Sequence, residues 1–143
     1  MIVVDASVAV KWFLPESDSD QATALLVSGR KLFAPELVRV EVASAITRRV
    51  RLGELAVPYA RAACAAWRQA LASGVVTLTP NDDDLEQAIQ LAVDLKHPLQ
   101  DCLYLACAWR LAAPLVTGDV RFQEKAKARY VGIRTLADSG VSG

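Results

Sequence analysis

Four acidic residues stand where the packing of a globular protein does not favour an acid: Asp5, Glu41, Asp101 and Asp119. Asp5 and Asp119 each follow a short apolar run that predicts a buried strand, and ligands of open α/β sheets bind outside the carboxyl ends of the strands. Glu41 and Asp101 lie in helical segments that are apolar on nearly every side, where an uncompensated charge is costly. Clustered carboxylates are the ligands that Mg²⁺ and Mn²⁺ prefer. The four acids together therefore predict a divalent-metal site.

Each acid taken alone also has a structural explanation. Asp5 can cap the helix that follows it, and Asp119, which comes after a glycine, can serve as a turn or cap residue. Asp101 lies in the first turn of a predicted helix, where the helix dipole favours negative charge. Glu41 can share an exposed stripe of its helix or pair with Arg39. A hard-cation site is the interpretation that accounts economically for all four positions at once.

Other classes of protein fit these residues less well. A serine hydrolase of the nucleophile-elbow type needs a G-x-S-x-G turn and a histidine base. The chain has no such turn and a single histidine, His97, beside a helix-breaking proline, so we interpret His97 as a structural or exposed residue. A phosphatase with an aspartyl nucleophile would carry a second acid two residues after Asp5, where Ser7 stands. A signalling receiver domain would show adjacent acids after its first strand, and Asp5 stands alone there.

Strand and helix patterns alternate along the chain. Predicted strands cover residues 2–4, 31–34, 75–78, 115–117 and 131–135, and predicted helices cover 6–13, 17–29, 35–52, 58–72, 81–96 and 100–112. Pro35 is placed at the first position of the third helix, and Asn81 with the three aspartates after it caps the fifth. This alternation predicts an α/β fold with a mainly parallel sheet.

Composition and charge limit the class of protein. Of the 143 residues, 53% are hydrophobic and 22% charged, which predicts one globular domain over residues 1–138 and a short flexible tail at 139–143. The net charge is zero, which argues against binding nucleic acid by bulk positive charge. Apolar runs below about 20 residues and a start without a secretory signal predict a cytoplasmic protein with no membrane span. Three cysteines lack C-x-x-C spacing and are predicted to be core residues: Cys64, Cys102 and Cys107.

Four segments carry a resemblance to a known family. They are Val3–Val8, Pro35–Ala43, His97–Ala106 and Leu115–Phe122, and together they span nearly the whole chain. Each pattern is common by itself. The four in this order and spacing resemble the PIN domain of ribonucleases, most closely the VapC toxins of bacterial type II toxin–antitoxin pairs.

The resemblance implies a three-layer PIN-like fold with a mainly parallel five-stranded sheet flanked by helices. It implies that one or two Mg²⁺ or Mn²⁺ ions are held by four residues that are both metal ligands and catalytic: Asp5, Glu41, Asp101 and Asp119. Ser7 and Thr117 match small hydroxyl positions that support the ligands or bound water. The implied activity is cleavage of RNA by a metal-dependent endoribonuclease. The implied partners are the RNA substrate, a second copy of the chain in a homodimer, and an antitoxin protein that blocks the acidic groove.

Several positions leave more than one interpretation open. Some PIN domains carry a further acid two residues after the fourth, where this chain has Arg121, so the resemblance leaves open whether a second metal site forms. Arg121 and Arg48 can contact RNA phosphate or serve as solvated surface cations. Trp12, Phe13 and Leu14 can form a docking surface for a partner or pack into the core. The alternative function is a catalytically silent PIN-like module that binds RNA or protein.

Overall fold

Five short strands form one sheet in which every neighbouring pair is parallel. The computed structural model describes residues 1–138. The strands are β1 (Ile2–Val4), β2 (Leu32–Pro35), β3 (Thr77–Thr79), β4 (Leu115–Thr117) and β5 (Ile133–Thr135). Their spatial order is β3-β2-β1-β4-β5, so β1 lies in the middle, and its three residues are buried. The predicted α/β fold with a parallel five-stranded sheet is confirmed.

Within the described residues, seven α-helices connect and cover the strands. They are α1 (Ala6–Ala9), α2 (Ser19–Leu26), α3 (Leu37–Arg51), α4 (Val57–Ala72), α5 (Asp82–Leu95), α6 (Leu99–Leu111) and α7 (Val120–Ala126). A 3₁₀ turn, Val10–Trp12, follows α1. The helix α6 contacts β1, β2 and β4 and packs against α5. It is buried from Cys102 to Ala108, which explains why its sequence is apolar on all sides.

The order of the strands reverses beside β1. The chain passes from β1 to β2 on one side and returns later through β4 on the other side. A switch point of this kind opens a crevice outside the carboxyl ends of the strands. Val4 of β1 lies opposite Val116 of β4, so the residues that follow these two strands emerge together at the same edge of the sheet.

The segment between β4 and β5 differs from the sequence prediction. No element is predicted from the sequence for residues 118–130, whereas residues 120–126 form α7. Among the seven residues of this helix, only Phe122 and Ala126 are buried. One apolar pair four positions apart is too short a pattern to indicate a helix from the sequence. Asp119 starts the helix, since its Oδ1 accepts a hydrogen bond from Phe122 N at 3.0 Å.

The start of α3 also differs from the prediction. Pro35 is the last residue of β2, opposite Thr79, and not the first residue of a helix. Pro35 lies beyond the residues of β2 that pair with β1. The absence of an N–H group on proline therefore does not interrupt the hydrogen bonds between these two strands. Asn81 is predicted to cap α5, but its side chain makes no capping hydrogen bond there. It accepts a hydrogen bond from Leu37 N at 3.0 Å instead. Asn81 therefore caps α3, which lies 44 residues earlier in the chain.

Asp84 has a partner that its sequence context hides. The run of aspartates at 82–84 predicts a helix-dipole role, and Asp82 and Asp83 are exposed in the first turn of α5. The side chain of Asp84 is only 1% exposed and accepts hydrogen bonds from Arg110 Nε at 2.6 Å and Nη2 at 3.2 Å. The position of Asp84 in the first turn of α5 is therefore only part of its role, because its ion pair with Arg110 also joins α5 to α6.

The aromatic segment after the first helix packs inward. Trp12 donates from Nε1 to the carbonyl oxygen of Ala22 at 2.8 Å. Phe13 meets the ring of Trp67 edge-on, with the centroids 5.8 Å apart. Leu14 is buried. These contacts favour the core interpretation of the segment, with Trp12 and Phe13 half-buried at its outer side.

The cysteines are free thiols, as predicted. Cys102 and Cys107 are buried and Cys64 is half-buried. No helix within residues 1–138 is long and apolar enough to cross a membrane. The predicted tail at 139–143 lies outside the described residues.

Candidate metal centre

Asp5 links the end of β1 to the start of α1. Its Oδ1 accepts hydrogen bonds from Ser7 Oγ at 2.5 Å and from Val8 N at 3.2 Å, so the predicted capping role is confirmed. The residue is 5% exposed. Burial raises the pKa of Asp5 to about 6, although the hydroxyls of Ser7 and Thr117 favour the ionised form. Asp5 is thus a carboxylate that the fold keeps away from water at a cost.

The two predicted supporting hydroxyls tie the end of β1 to the end of β4. Ser7 Oγ donates to Asp5 and also accepts a hydrogen bond from Gly118 N at 2.8 Å. Thr117 Oγ1 accepts from Asp119 N at 3.0 Å. A Cβ atom at Gly118 would lie 3.1 Å from Ser7 Oγ, so glycine permits this close approach. Asp5 and Asp119 are therefore held at the same edge of the sheet by a continuous set of hydrogen bonds.

Glu41 projects from α3 and is held by a residue of α6. Tyr104 donates from its hydroxyl to Glu41 Oε1 at 2.7 Å. Burial and the charge of Glu41 raise the pKa of Tyr104, which keeps its hydroxyl protonated as a donor. Burial also raises the pKa of Glu41, while the Tyr104 hydrogen bond opposes that effect. Arg39 pairs with Glu36 at 3.2 Å, so the alternative explanation that pairs it with Glu41 is wrong.

Asp101 lies in the first turn of α6 and influences two of the other acids. Its Oδ2 lies 2.6 Å from His97 Nε2, and its side chain is 34% exposed. Its negative charge contributes to raising the pKa of both Asp5 and Glu41. Because such effects weaken with distance, Asp101 lies near enough to disfavour the charged forms of both Asp5 and Glu41.

The donor set fits a hard divalent cation. Within residues 1–138, Asp5, Glu41 and Asp119 form no ion pair with a lysine or arginine, so the chain does not offset their charges. Carboxylate oxygens are the donors that Mg²⁺ and Mn²⁺ prefer. The same part of the chain contains no group of three or more His, Cys, Asp or Glu residues arranged closely enough to hold a metal ion. Binding through three carboxylates would therefore require the acids to converge further.

A cleft of about 550 Å³ opens beside Asp119, which is the one candidate acid that lines it. Its walls are formed by His97, Pro98, Asp119, Arg121, Glu124 and Lys125. Arg121 stands next to Asp119 in this cleft. Arg48 is exposed in the last turn of α3, two turns beyond Glu41 and about 10 Å further along the helix axis. The structure therefore places Arg121 at the cleft and Arg48 at a distance from Glu41.

Three further residues contact the predicted acids directly or through one neighbour. His97, interpreted from sequence as structural or exposed, is 11% exposed in its side chain and contacts Asp101. Tyr104 follows Asp101 by three positions, and its polar tip in an otherwise apolar helix is a signal that could have been used. Lys125 Nζ lies 3.3 Å from His97 Nδ1, and no sequence signal pointed to it because α7 was outside the predicted helices.

A protein-family model supplies the decisive comparison. The model described as PIN domain matches residues 2–128 of the chain. The chain belongs to the PIN domain family. The predicted PIN-like fold is confirmed by this match together with the parallel sheet described above.

Named relatives of this PIN domain agree with the predicted subfamily. Ribonuclease VapC9 of Mycobacterium tuberculosis and VapC ribonuclease Mb0985 of Mycobacterium bovis are each 31% identical over 129 residues. The aligned region covers 90% of this chain and 94% of each relative. The resemblance to VapC-type PIN ribonucleases is therefore confirmed.

Solved structures show the same fold. PAE2754 from Pyrobaculum aerophilum has a TM-score of 0.70 at 24% identity, covering 95% of this PIN domain and 90% of that chain. Mycobacterium tuberculosis VapC20, a sarcin-ricin loop cleaving toxin, has a TM-score of 0.66 at 20% identity, with 87% and 94% coverage. A chain from a Klebsiella pneumoniae toxin–antitoxin complex has a TM-score of 0.65 at 16% identity, with 95% and 98% coverage.

Proposed function

We propose that this PIN domain is a Mg²⁺- or Mn²⁺-dependent endoribonuclease that acts as the toxin of a type II toxin–antitoxin pair. The observation that carries the proposal is that Asp101 raises the pKa of both Asp5 and Glu41 beside the switch point of the sheet, where no lysine or arginine within residues 1–138 pairs with Asp5 or Glu41. A divalent cation stabilises the charged forms of these acids. The similarity to VapC ribonucleases supports RNA as the substrate.

The residues around the centre have distinct tasks in this proposal. The cation is held by Asp5, Glu41, Asp101 and Asp119. When bound, the cation lowers the pKa of an attacking water and neutralises charge on the phosphate. Ser7 and Thr117 fix the loops that carry Asp5 and Asp119, and Tyr104 orients Glu41 through its hydroxyl. Arg121 contacts a phosphate of the RNA from the wall of the cleft.

Cleavage of RNA with Mg²⁺ or with EDTA tests the proposal. Asp5→Asn and Asp101→Asn each remove one charge of the candidate centre and should abolish cleavage, while circular dichroism shows the fold retained. Asp83→Asn removes an exposed acid from the first turn of α5 and serves as the matched control, which should cleave like the unmodified protein. Cleavage that continues in EDTA, or in both centre variants, would contradict metal-dependent catalysis by these acids.

A catalytically silent PIN-like module is the second candidate function. It is favoured by one observation, which is that no three potential ligands within residues 1–138 are already close enough to hold a metal. Such a module would bind RNA or protein without metal-dependent cleavage. Gel-shift and cleavage assays on the same RNA therefore separate the two functions.

The partner proposals are a homodimer and an antitoxin that covers the acidic groove, and the proposed location of this PIN domain is the cytoplasm. The fold shared with a chain of a toxin–antitoxin complex supports the antitoxin. Trp12, Phe13 and the 72% exposed Tyr59 line an apolar groove of about 380 Å³ that offers a contact surface. Light scattering of the protein alone measures the dimer. Co-purification with the product of an adjacent small gene, together with loss of cleavage in the complex, tests the antitoxin.

A further inference from the structure

We propose that His97 and Lys125 form a positioning device that aims the Asp101 carboxylate at the metal centre. The inference rests on the proposed function and adds two residues that the predicted ligand set does not include. His97 Nε2 lies 2.6 Å from Asp101 Oδ2, and Lys125 Nζ lies 3.3 Å from His97 Nδ1. Oδ2 of Asp101 is thereby held by the protein, and Oδ1 is left to face a cation.

The direction of the two hydrogen bonds follows from the chemistry of the lysine. An ammonium group only donates hydrogen bonds, so His97 Nδ1 must accept the one from Lys125. The imidazole proton then sits on Nε2, which donates to Asp101 Oδ2. Lys125 Nζ also donates to the carbonyl oxygen of Lys96 at 3.2 Å, which anchors the lysine beside the ring. Lys125 thus selects the form of His97 that donates to Asp101.

The ring of His97 is fixed by packing as well as by hydrogen bonds. It stacks on Phe122, with the ring centroids 4.5 Å apart and an angle of 14° between the planes. Phe122 is fully buried, so it provides a rigid surface for the ring. The side chain of His97 is 11% exposed. A rigid donor of this kind restricts the rotation of Asp101, whose own side chain is more exposed.

The helix α7 connects this device to another candidate ligand. Asp119 caps α7 by accepting from Phe122 N, Phe122 supports the ring of His97, and Lys125 binds that ring at Nδ1. The three residues that make these contacts, Asp119, Phe122 and Lys125, are spaced three positions apart along the chain. One short helix therefore sets the position of Asp119 directly and that of Asp101 through His97.

Binding of Mn²⁺, followed by electron paramagnetic resonance of the free ion, tests the device without relying on activity. His97→Phe keeps a ring that can stack on Phe122 but loses the donor, and it should weaken Mn²⁺ binding about 10- to 100-fold. His97→Gln places an N–H near the position of Nε2 and should restore most of the affinity. Lys125→Met should weaken binding less than His97→Phe does. Lys127→Met, an exposed charge loss at the end of the same helix, should bind like the unmodified protein.

Urea unfolding of each variant separates positioning from support of the fold. Positioning predicts that His97→Phe loses Mn²⁺ affinity and RNA cleavage out of proportion to any loss of unfolding free energy, and that His97→Gln rescues both. Equal Mn²⁺ affinity in His97→Phe and the unmodified protein would overturn the device while leaving the metal centre intact. An unmodified protein that binds no Mn²⁺ would overturn the metal-dependent function, and the device with it.

Discussion

Replacing Asp5 by asparagine should stabilise the metal-free protein at neutral pH. The carboxyl group is buried, and burial raises its pKa from the ordinary 3.8 to about 6. At about 1.4 kcal/mol per pKa unit, this difference means that the unfolding free energy is about 3 kcal/mol lower when Asp5 must be ionised in the folded protein. Asparagine has no charge to desolvate and keeps an oxygen that can accept from Val8 N. A gain approaching about 3 kcal/mol in unfolding free energy is therefore the upper limit at pH 7.

The pH dependence of this gain has a definite sign. Below pH 3.8 the Asp5 carboxyl is protonated in both the folded and the unfolded chain, so the substitution should change the unfolding free energy little. Between pH 3.8 and about 6 the unfolded chain ionises first, and the unmodified protein loses stability as the pH rises. Above about pH 6 the difference between the two proteins should be constant.

Urea unfolding in EDTA at pH 4, 5, 6 and 7, followed by circular dichroism, measures this difference. Asp94→Asn is the matched control, because hydrogen bonding to Arg129 lowers the pKa of Asp94, so its loss should give no gain at neutral pH. Addition of Mg²⁺ should stabilise the unmodified protein more than Asp5→Asn and narrow the gap. An Asp5→Asn variant that is no more stable than the unmodified protein at pH 7 in EDTA would refute the reasoning.

Three further predictions concern single side chains. Tyr104→Phe removes the donor to Glu41 and should slow RNA cleavage about tenfold in initial-rate assays; an unchanged rate would show that the hydroxyl does not orient the acid. Asp84→Asn breaks the pair with Arg110 and should lower the unfolding free energy by about 2 kcal/mol in urea, with cleavage by the folded protein unchanged. Arg121→Ala should raise KM for RNA and reduce the slope of log affinity against log salt by about 0.7, and an unaltered slope would remove Arg121 from the RNA interface.

Local patterns were enough to predict the elements that lie deepest. The predicted strand at 115–117 has the bounds of β4, because an unbroken apolar run between Pro114 and Gly118 is typical of a strand buried on both faces. The predicted helix at 100–112 is displaced from α6 by one residue at each end. The edge-placed strands are less well predicted: Val131 is largely exposed, and β5 begins only at Ile133.

The contacts that complete the candidate site could not be predicted from local patterns. Tyr104 and Glu41 are 63 positions apart, so their hydrogen bond depends on how α3 and α6 pack. The same limit applies to Asn81, whose partner lies 44 positions away. The four acids of the candidate site could be singled out because each stands within or directly after an apolar pattern. His97 interrupts none, and its role depends on α7, which is too short to produce a clear periodicity.

The pairing of β1 with β4 determines how much of the chain must be synthesised before the candidate site can form. Val3 lies opposite Leu115, so the central strand acquires this neighbour only after most of the chain has been synthesised. The helix α7, which Asp119 caps, ends at Ala126. A growing chain that has not yet released these residues from the ribosome has Asp5 without Asp119. Asp119 is residue 119 of 143, so the complete set of four acids cannot assemble until the chain has been synthesised beyond that position.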